Sequence, residues 1–115
     1  MTTVPPIQTL SSDLSVAPQL GPQAMAELAR AGFKSVINNR PDFEAGPEQP
    51  TNASIEAAAK AAGLSYAFLP VAPNFQSPDE IARFAALLAT LPKPILAFCR
   101  SGTRSGKLYR AATGG

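Results

Sequence analysis

The residues best able to do chemistry in this sequence lie in one segment, Phe98-Cys99-Arg100-Ser101-Gly102-Thr103-Arg104-Ser105-Gly106. Cys99 is the only cysteine, and the chain has no histidine. Ser-His-Asp and Cys-His catalysis are therefore excluded, as are His-ligated zinc and haem. A thiol without an imidazole needs another source of activation, and the segment supplies one. The apolar run Ile95-Leu96-Ala97-Phe98 delivers Cys99 to the C-terminal end of a strand, where parallel sheets bind ligands. A turn from such a strand into a helix aims backbone N–H groups into a concave anion nest above the positive end of the helix dipole. Gly102 lets the loop fold tightly, Arg104 adds a planar fork for anion oxygens, and Ser101, Thr103 and Ser105 add hydroxyl donors. The same field favours the thiolate, so Cys99 reads as a nucleophile and Arg104 as its anion-binding partner, with Arg100 steering anions from the rim. The bland alternative is a cysteine buried as a small hydrophobe. It leaves a glycine, two arginines and three hydroxyls within seven residues without a purpose.

Composition narrows the setting. The chain has 115 residues, 45% of them apolar and 16% charged, which suits one folded domain over 1–115. The longest apolar run, Phe84 to Ala89, is far shorter than the about twenty residues of a membrane span. The start, Met1-Thr2-Thr3-Val4-Pro5-Pro6, has neither the basic nor the apolar segment of a secretory signal. A single cysteine fits a reducing, cytoplasmic setting. Residues 1–80 hold four basic and eight acidic side chains, a net −4, whereas 81–115 hold six basic and no acidic ones, a net +6. The C-terminal third thus favours an anion. Aromatic and basic residues do not interleave there, which argues against nucleic acid, and no membrane partner is expected. No metal or organic cofactor is implied.

The elements that must position the loop follow from proline, glycine and apolar spacing. The first dozen residues read as an extended arm and Leu14–Ala17 as a short strand. Gly21-Pro22 opens a helix with Met25, Leu28 and Ala29 inside and Gly32 at its end. A strand over 34–38 leads into a Pro-rich loop over 39–50. Ile55, Ala58, Ala59 and Ala62 mark one face of the next helix. Tyr66–Leu69 is a strand, and Ser77-Pro78-Asp79-Glu80 forms a capping-box start for a helix buried through Ile81, Phe84, Ala85 and Leu88. Ile95–Phe98 is a central strand covered on both faces, and a last helix spans Ser105 to Ala112. The pattern is an α/β three-layer sandwich with a central, mainly parallel sheet of four to five strands.

Cys99-Arg100-Ser101-Gly102-Thr103-Arg104-Ser105 resembles the active-site loop of rhodanese-type sulfurtransferases and is similar to the signature of cysteine-dependent phosphatases. A wider match runs from Leu20 to about Ala111. It passes through Ala31-Gly32-Phe33-Lys34-Ser35-Val36-Ile37-Asn38, Arg40-Pro41-Asp42, Ala62-Gly63-Leu64 and Leu69-Pro70-Val71. In these pieces the chain resembles the small phosphatase-like sulfurtransferase domains related to the one attached to bacterial beta-lactamase-like hydrolases. The resemblance implies a dual-specificity-phosphatase-like fold, Cys99 as nucleophile and Arg104 as anion-binding arginine. It also places Arg40 and Asp42 at the same edge of the sheet, and implies a persulfide-oxidising hydrolase-like partner.

Loop length and proton supply weigh the reactions. Cysteine phosphatases resemble C-x-x-x-x-x-R, whereas Cys99 and Arg104 have one residue fewer between them. Phe98 stands where phosphatases usually carry histidine, and the loop Val71–Gln76 offers no acid to protonate a leaving alkoxide, leaving Asp42 as a substitute. Sulfite and thiolates leave as anions unaided. The sequence therefore favours sulfur transfer through a Cys99 persulfide, from a small anionic donor such as thiosulfate or a persulfide to a thiol or cyanide. The alternative is a phosphatase working through a Cys99 phosphocysteine. The third reading is a noncatalytic anion- or protein-binding module.

Overall fold

The structure, a computed structural model, describes residues 6–114. Its elements run β1 (Gln8–Thr9), β2 (Leu14–Ala17), α1 (Ala24–Arg30), β3 (Ser35–Asn38), α2 (Asn52–Ala61), β4 (Ser65–Phe68), α3 (Pro78–Thr90), β5 (Ile95–Phe98) and α4 (Thr103–Thr113). The sheet order is β1-β2-β5-β3-β4, parallel except for the antiparallel edge β1. β5 lies between β2 and β3, in register from Leu14 and Ser35 beside Ile95 to Ala17 and Asn38 beside Phe98.

Side-chain alternation along a strand divides the interior in two. Leu96 and Phe98 of β5 pack with Met25 and Leu28 of α1 and Ile55 of α2. Ile95 and Ala97 pack on the opposite face with Phe84 of α3 and Leu108 of α4. All four β5 side chains are sealed from solvent, which explains their unbroken apolar run. The three-layer α/β sandwich expected from the sequence is the fold observed.

Local chemistry sets the helix ends. Thr51 Oγ1 accepts the Ser54 N–H at 3.2 Å at the start of α2. At α3, Ser77 Oγ accepts the Glu80 N–H at 3.1 Å, while Glu80 Oε1 accepts the Ser77 N–H at 2.9 Å. Other boundaries differ from expectation. Part of the supposed arm is strand β1, made by pairing with Val16 and Ser15, contacts that local sequence cannot announce; the arm's first five residues lie outside the described ones. Pro22 sits two residues ahead of α1, and Leu69 leaves β4 to join the α3 face. α4 starts at Thr103, two residues early. Among the described residues, no helix is long and apolar enough to cross a membrane.

Candidate active site

The loop that carries the thiol hangs from three adjacent strand ends. The Asn39 N–H donates to Phe98 C=O at 2.8 Å, the Cys99 N–H to Ala17 C=O at 3.4 Å, and the Gln19 N–H to Arg100 C=O at 3.1 Å. Gly102 then turns the chain into α4 with φ +92, a left-handed conformation that favours glycine. A Cβ there would also stand 3.4 Å from Ala17 C=O. This turn points the Gly102 N–H at Cys99 Sγ, 3.0 Å away. Cys99 is fully buried, as the bland alternative required, yet its sulfur accepts a backbone N–H from the mouth of a helix. Ser101 and Thr103 lie on the exposed side of the loop, Ser101 Oγ donating to Thr103 Oγ1 at 3.0 Å.

Arg104, the second residue of α4, is buried and held by a carboxylate from far along the chain. Its Nη1 donates to Glu44 Oε2 at 2.8 Å and to Val71 C=O at 3.2 Å; its Nη2 donates to Glu44 Oε1 at 2.7 Å. Glu44 thus grips the end of the guanidinium. Of five donors, the two left unengaged among the described residues are Nε–H and the second Nη2–H, which share one edge of the plane. Arg40 braces the same carboxylate, its Nε donating to Glu44 Oε1 at 2.8 Å and its Nη1 to Gln19 Oε1 at 3.1 Å. The Arg104 hydrogen bonds, aided by those from Arg40, hold the Glu44 carboxyl below the usual carboxylate range despite an opposing push from partial burial.

A second network sets where the 39–50 loop begins. Asn38 Oδ1 accepts the Arg40 N–H at 3.0 Å, while Asn38 Nδ2 donates to Tyr66 Oη at 3.1 Å and Tyr66 Oη donates to Asn52 Oδ1 at 2.7 Å. Burial pushes the Tyr66 phenol up to about 12, so it stays protonated and keeps donating.

The expected site residues therefore divide. Cys99, Gly102 and Arg104 come together around the loop. Arg100, exposed, joins Arg40, Glu44, Ala45, Pro73 and Arg104 in lining an open basin of ≈ 360 Å³. Ser105 faces inward instead: its Oγ donates to Asn39 Oδ1 at 2.8 Å, and Asn39 Nδ2 donates to Leu69 C=O at 2.9 Å, tying α4 to the loops that follow β3 and β4. Asp42 does not line the basin, and its Oδ1 accepts the Asn52 N–H at 2.7 Å at the start of α2. The expected substitute acid is a helix cap, a role an acceptor fills well beside the positive end of a helix. Glu44 is the residue that sequence reasoning missed. A signal for it existed, because a buried arginine fork calls for a carboxylate, and the 39–50 loop offers only Asp42, Glu44 and Glu48. Among the described residues, no group of three or more His, Cys, Asp or Glu side chains could hold a metal ion.

Residues 6–115 match the family described as beta-lactamase hydrolase-like protein, phosphatase-like domain. The chain belongs to this family. The domain is 38% identical over 103 residues to a beta-lactamase hydrolase-like protein of Xylella fastidiosa Temecula1, covering 90% of this chain and 24% of that relative. It thus spans about a quarter of the relative's length. A crystal structure of a candidate phosphatase from Neisseria meningitidis Z2491 superposes with a TM-score of 0.85 at 34% identity, over 95% of this chain and 79% of that one. The core catalytic domain of the PP-IP phosphatase Siw14 from S. cerevisiae, in complex with citrate, shares the fold with a TM-score of 0.73 at 14% identity, over 98% and 68% of the chains. These phosphatase-like relatives favour the phosphoryl-transfer alternative over the sulfur transfer expected from loop length.

Proposed function

We propose that this phosphatase-like domain is a cysteine-dependent phosphatase that works through a Cys99 phosphocysteine. The observation that carries the reading is the free edge of Arg104. With Glu44 on the end of the guanidinium, Nε–H and Nη2–H form a fork for two oxygens of a phosphoryl group. The backbone N–H groups between Arg100 and Arg104 supply the rest of the anion cradle, and the helix dipole of α4 adds to the field. The Cys99 thiolate attacks phosphorus, the S–P bond forms as the P–O ester bond breaks, and the electron pair leaves on the ester oxygen. Water then attacks the phosphocysteine, the S–P bond breaks, and phosphate, a proton and the thiolate are released. Since Sγ is sealed in the resting loop, substrate binding must shift residues 100–103, exchanging the Gly102 N–H contact with Sγ for one with the anion; the exposed Ser101 and Thr103 side chains bond only to each other and do not tie the loop to the body.

Sulfur transfer is kept as a second reading on one observation, the four residues between Cys99 and Arg104, which make a narrower ring than the phosphatase pattern. One experiment separates the two. The protein is acid-quenched during turnover of an aryl phosphate, and separately after exposure to thiosulfate, and Cys99 is examined by mass spectrometry. A phosphoryl adduct with the first and none with the second supports the phosphatase, whereas a persulfide from thiosulfate without phosphate release overturns it. Cys99→Ser abolishes either activity.

A further inference from the structure

Three large hydrophobic side chains stand exposed among the described residues: Phe43 at 63%, Phe75 at 64% and Phe68 at 37%. All three belong to the carboxyl edge of the sheet, the edge that carries Cys99. Phe68 ends β4, and Phe43 and Phe75 lie on the loops that follow β3 and β4. Those two loops also build the basin. Phe43 directly precedes Glu44, the residue that grips Arg104, and Phe75 follows Pro73, which lines the basin, and Val71, whose carbonyl accepts from Arg104. Phe43 has a further peculiarity. Its φ of +62 is the only positive value at a non-glycine residue among those described, in a region that bulky L-residues rarely adopt. The fold thus holds an aromatic ring in water on a strained backbone, next in sequence to a residue that lines the basin, and neither hydrophobic core includes it. Observed strain of this kind points to function.

The carboxyl groups supply the second half of the argument. Glu44 is the one acid lining the basin. It accepts three guanidinium hydrogen bonds and is held in its charged form, so it has no proton to give. Asp42 accepts a backbone N–H at the start of α2. A leaving group must then depart without a proton, which a phenolate does far more readily than an alkoxide.

Resting on the phosphatase reading, we infer that the basin selects phosphate esters of aromatic alcohols: Phe43 and Phe75 form a rim that takes the aryl ring, and departure without acid assistance confines turnover to phenolate leaving groups. In the reaction the ester oxygen leaves Cys99-bound phosphorus as phenolate and is protonated by water.

The test uses the intact chain and three probes: phenyl phosphate, 1-naphthyl phosphate and glycerol 2-phosphate. Phosphocysteine formation and phosphate release are followed in each. A positioned acid is worth on the order of 10²–10⁴ in rate, so the alkyl ester should turn over at least about a hundredfold more slowly than the aryl esters. Phe75→Ala and Phe43→Gly should lower kcat/KM for naphthyl phosphate relative to phenyl phosphate by roughly three- to tenfold, the scale of an aromatic contact. Phe43→Gly also removes the backbone strain, so its Tm should hold or rise while selectivity falls; a ring with a purely structural role would lower Tm instead. Alkyl and aryl esters turned over equally through Cys99 would overturn the inference and leave the phosphatase reading standing. Ring preference indifferent to both phenylalanines would overturn the rim. Absence of Cys99-dependent phosphate release from every ester would overturn the phosphatase reading itself, and the inference with it.

Discussion

Glu44 and Arg104, sixty positions apart in sequence, form the pair on which the proposed chemistry rests. Replacing Glu44 with Gln keeps the shape but removes the charge and one of the two strong acceptors. The guanidinium then loses its fixed bearing on the loop, and misplacement of about an ångström costs on the order of a hundredfold. Glu44→Gln should therefore lower kcat for an aryl phosphate by ten- to a hundredfold, on that scale, while circular dichroism shows a folded protein. The same pair makes a pH prediction. Arg104 first, then Arg40, draws the Glu44 carboxyl below its ordinary value of 4.5. A carboxyl depressed in the folded state contributes stability that is fully present above its unfolded pKa and disappears as pH falls through the folded one. Tm in the parent protein should fall more steeply than in Glu44→Gln as the pH drops below 4.5, and the two curves should run parallel near neutrality. Parallel curves throughout would mean that the clamp adds nothing to stability.

At the scale of elements, what was legible in sequence was what depends on neighbours along the chain. The capping box at Ser77 and Glu80, the four sealed residues of β5, and the strand–turn–helix around Cys99 all announce themselves within a few positions. What stayed hidden depends on contacts across the fold. β1 is a strand only because β2 lies beside it, Ser105 turns inward only because Asn39 waits there, and Asp42 is drawn away from the basin to the Asn52 N–H where α2 begins. The two reactions divide the same way: loop length, which favoured sulfur transfer, is local, whereas the fork that Arg104 offers is shaped by a distant carboxylate. Gly102 tests how tightly the turn is specified. Gly102→Ala must adopt φ +92 with a side chain, a strain of about 1–2 kcal/mol. The expected result is a lower Tm together with a loss of turnover greater than the loss of folded protein, because the N–H that faces Cys99 Sγ turns away. Full activity with the alanine would show that the left-handed turn is not needed for the cradle.

Over the whole molecule, charge is distributed unevenly, and the basin collects the uncommitted part of it. Arg104 and Arg40 spend part of their charge on Glu44, but Arg100 stands exposed at the rim with no ion pair among the described residues. Its field should draw anionic substrates at low salt and fade as the Debye length shrinks to about 10 Å at 0.1 M. Arg100→Gln should flatten the dependence of kcat/KM on ionic strength while changing kcat little; an unchanged salt slope would remove steering from its account. The attachment of the loop carries a further consequence. Cys99 directly follows the strand at the centre of the sheet, which is paired on both sides through Phe98 and covered by both helical layers. Amides in such a strand exchange with deuterium only when the entire domain opens. The proposed nucleophile is therefore anchored next to the slowest-exchanging part of the protein, and partial fraying of the edges at β1 or β4 leaves it in place. Urea titrations followed by residual turnover and by circular dichroism at 222 nm should then overlay, so that catalysis becomes a gauge of global unfolding rather than an early casualty of it.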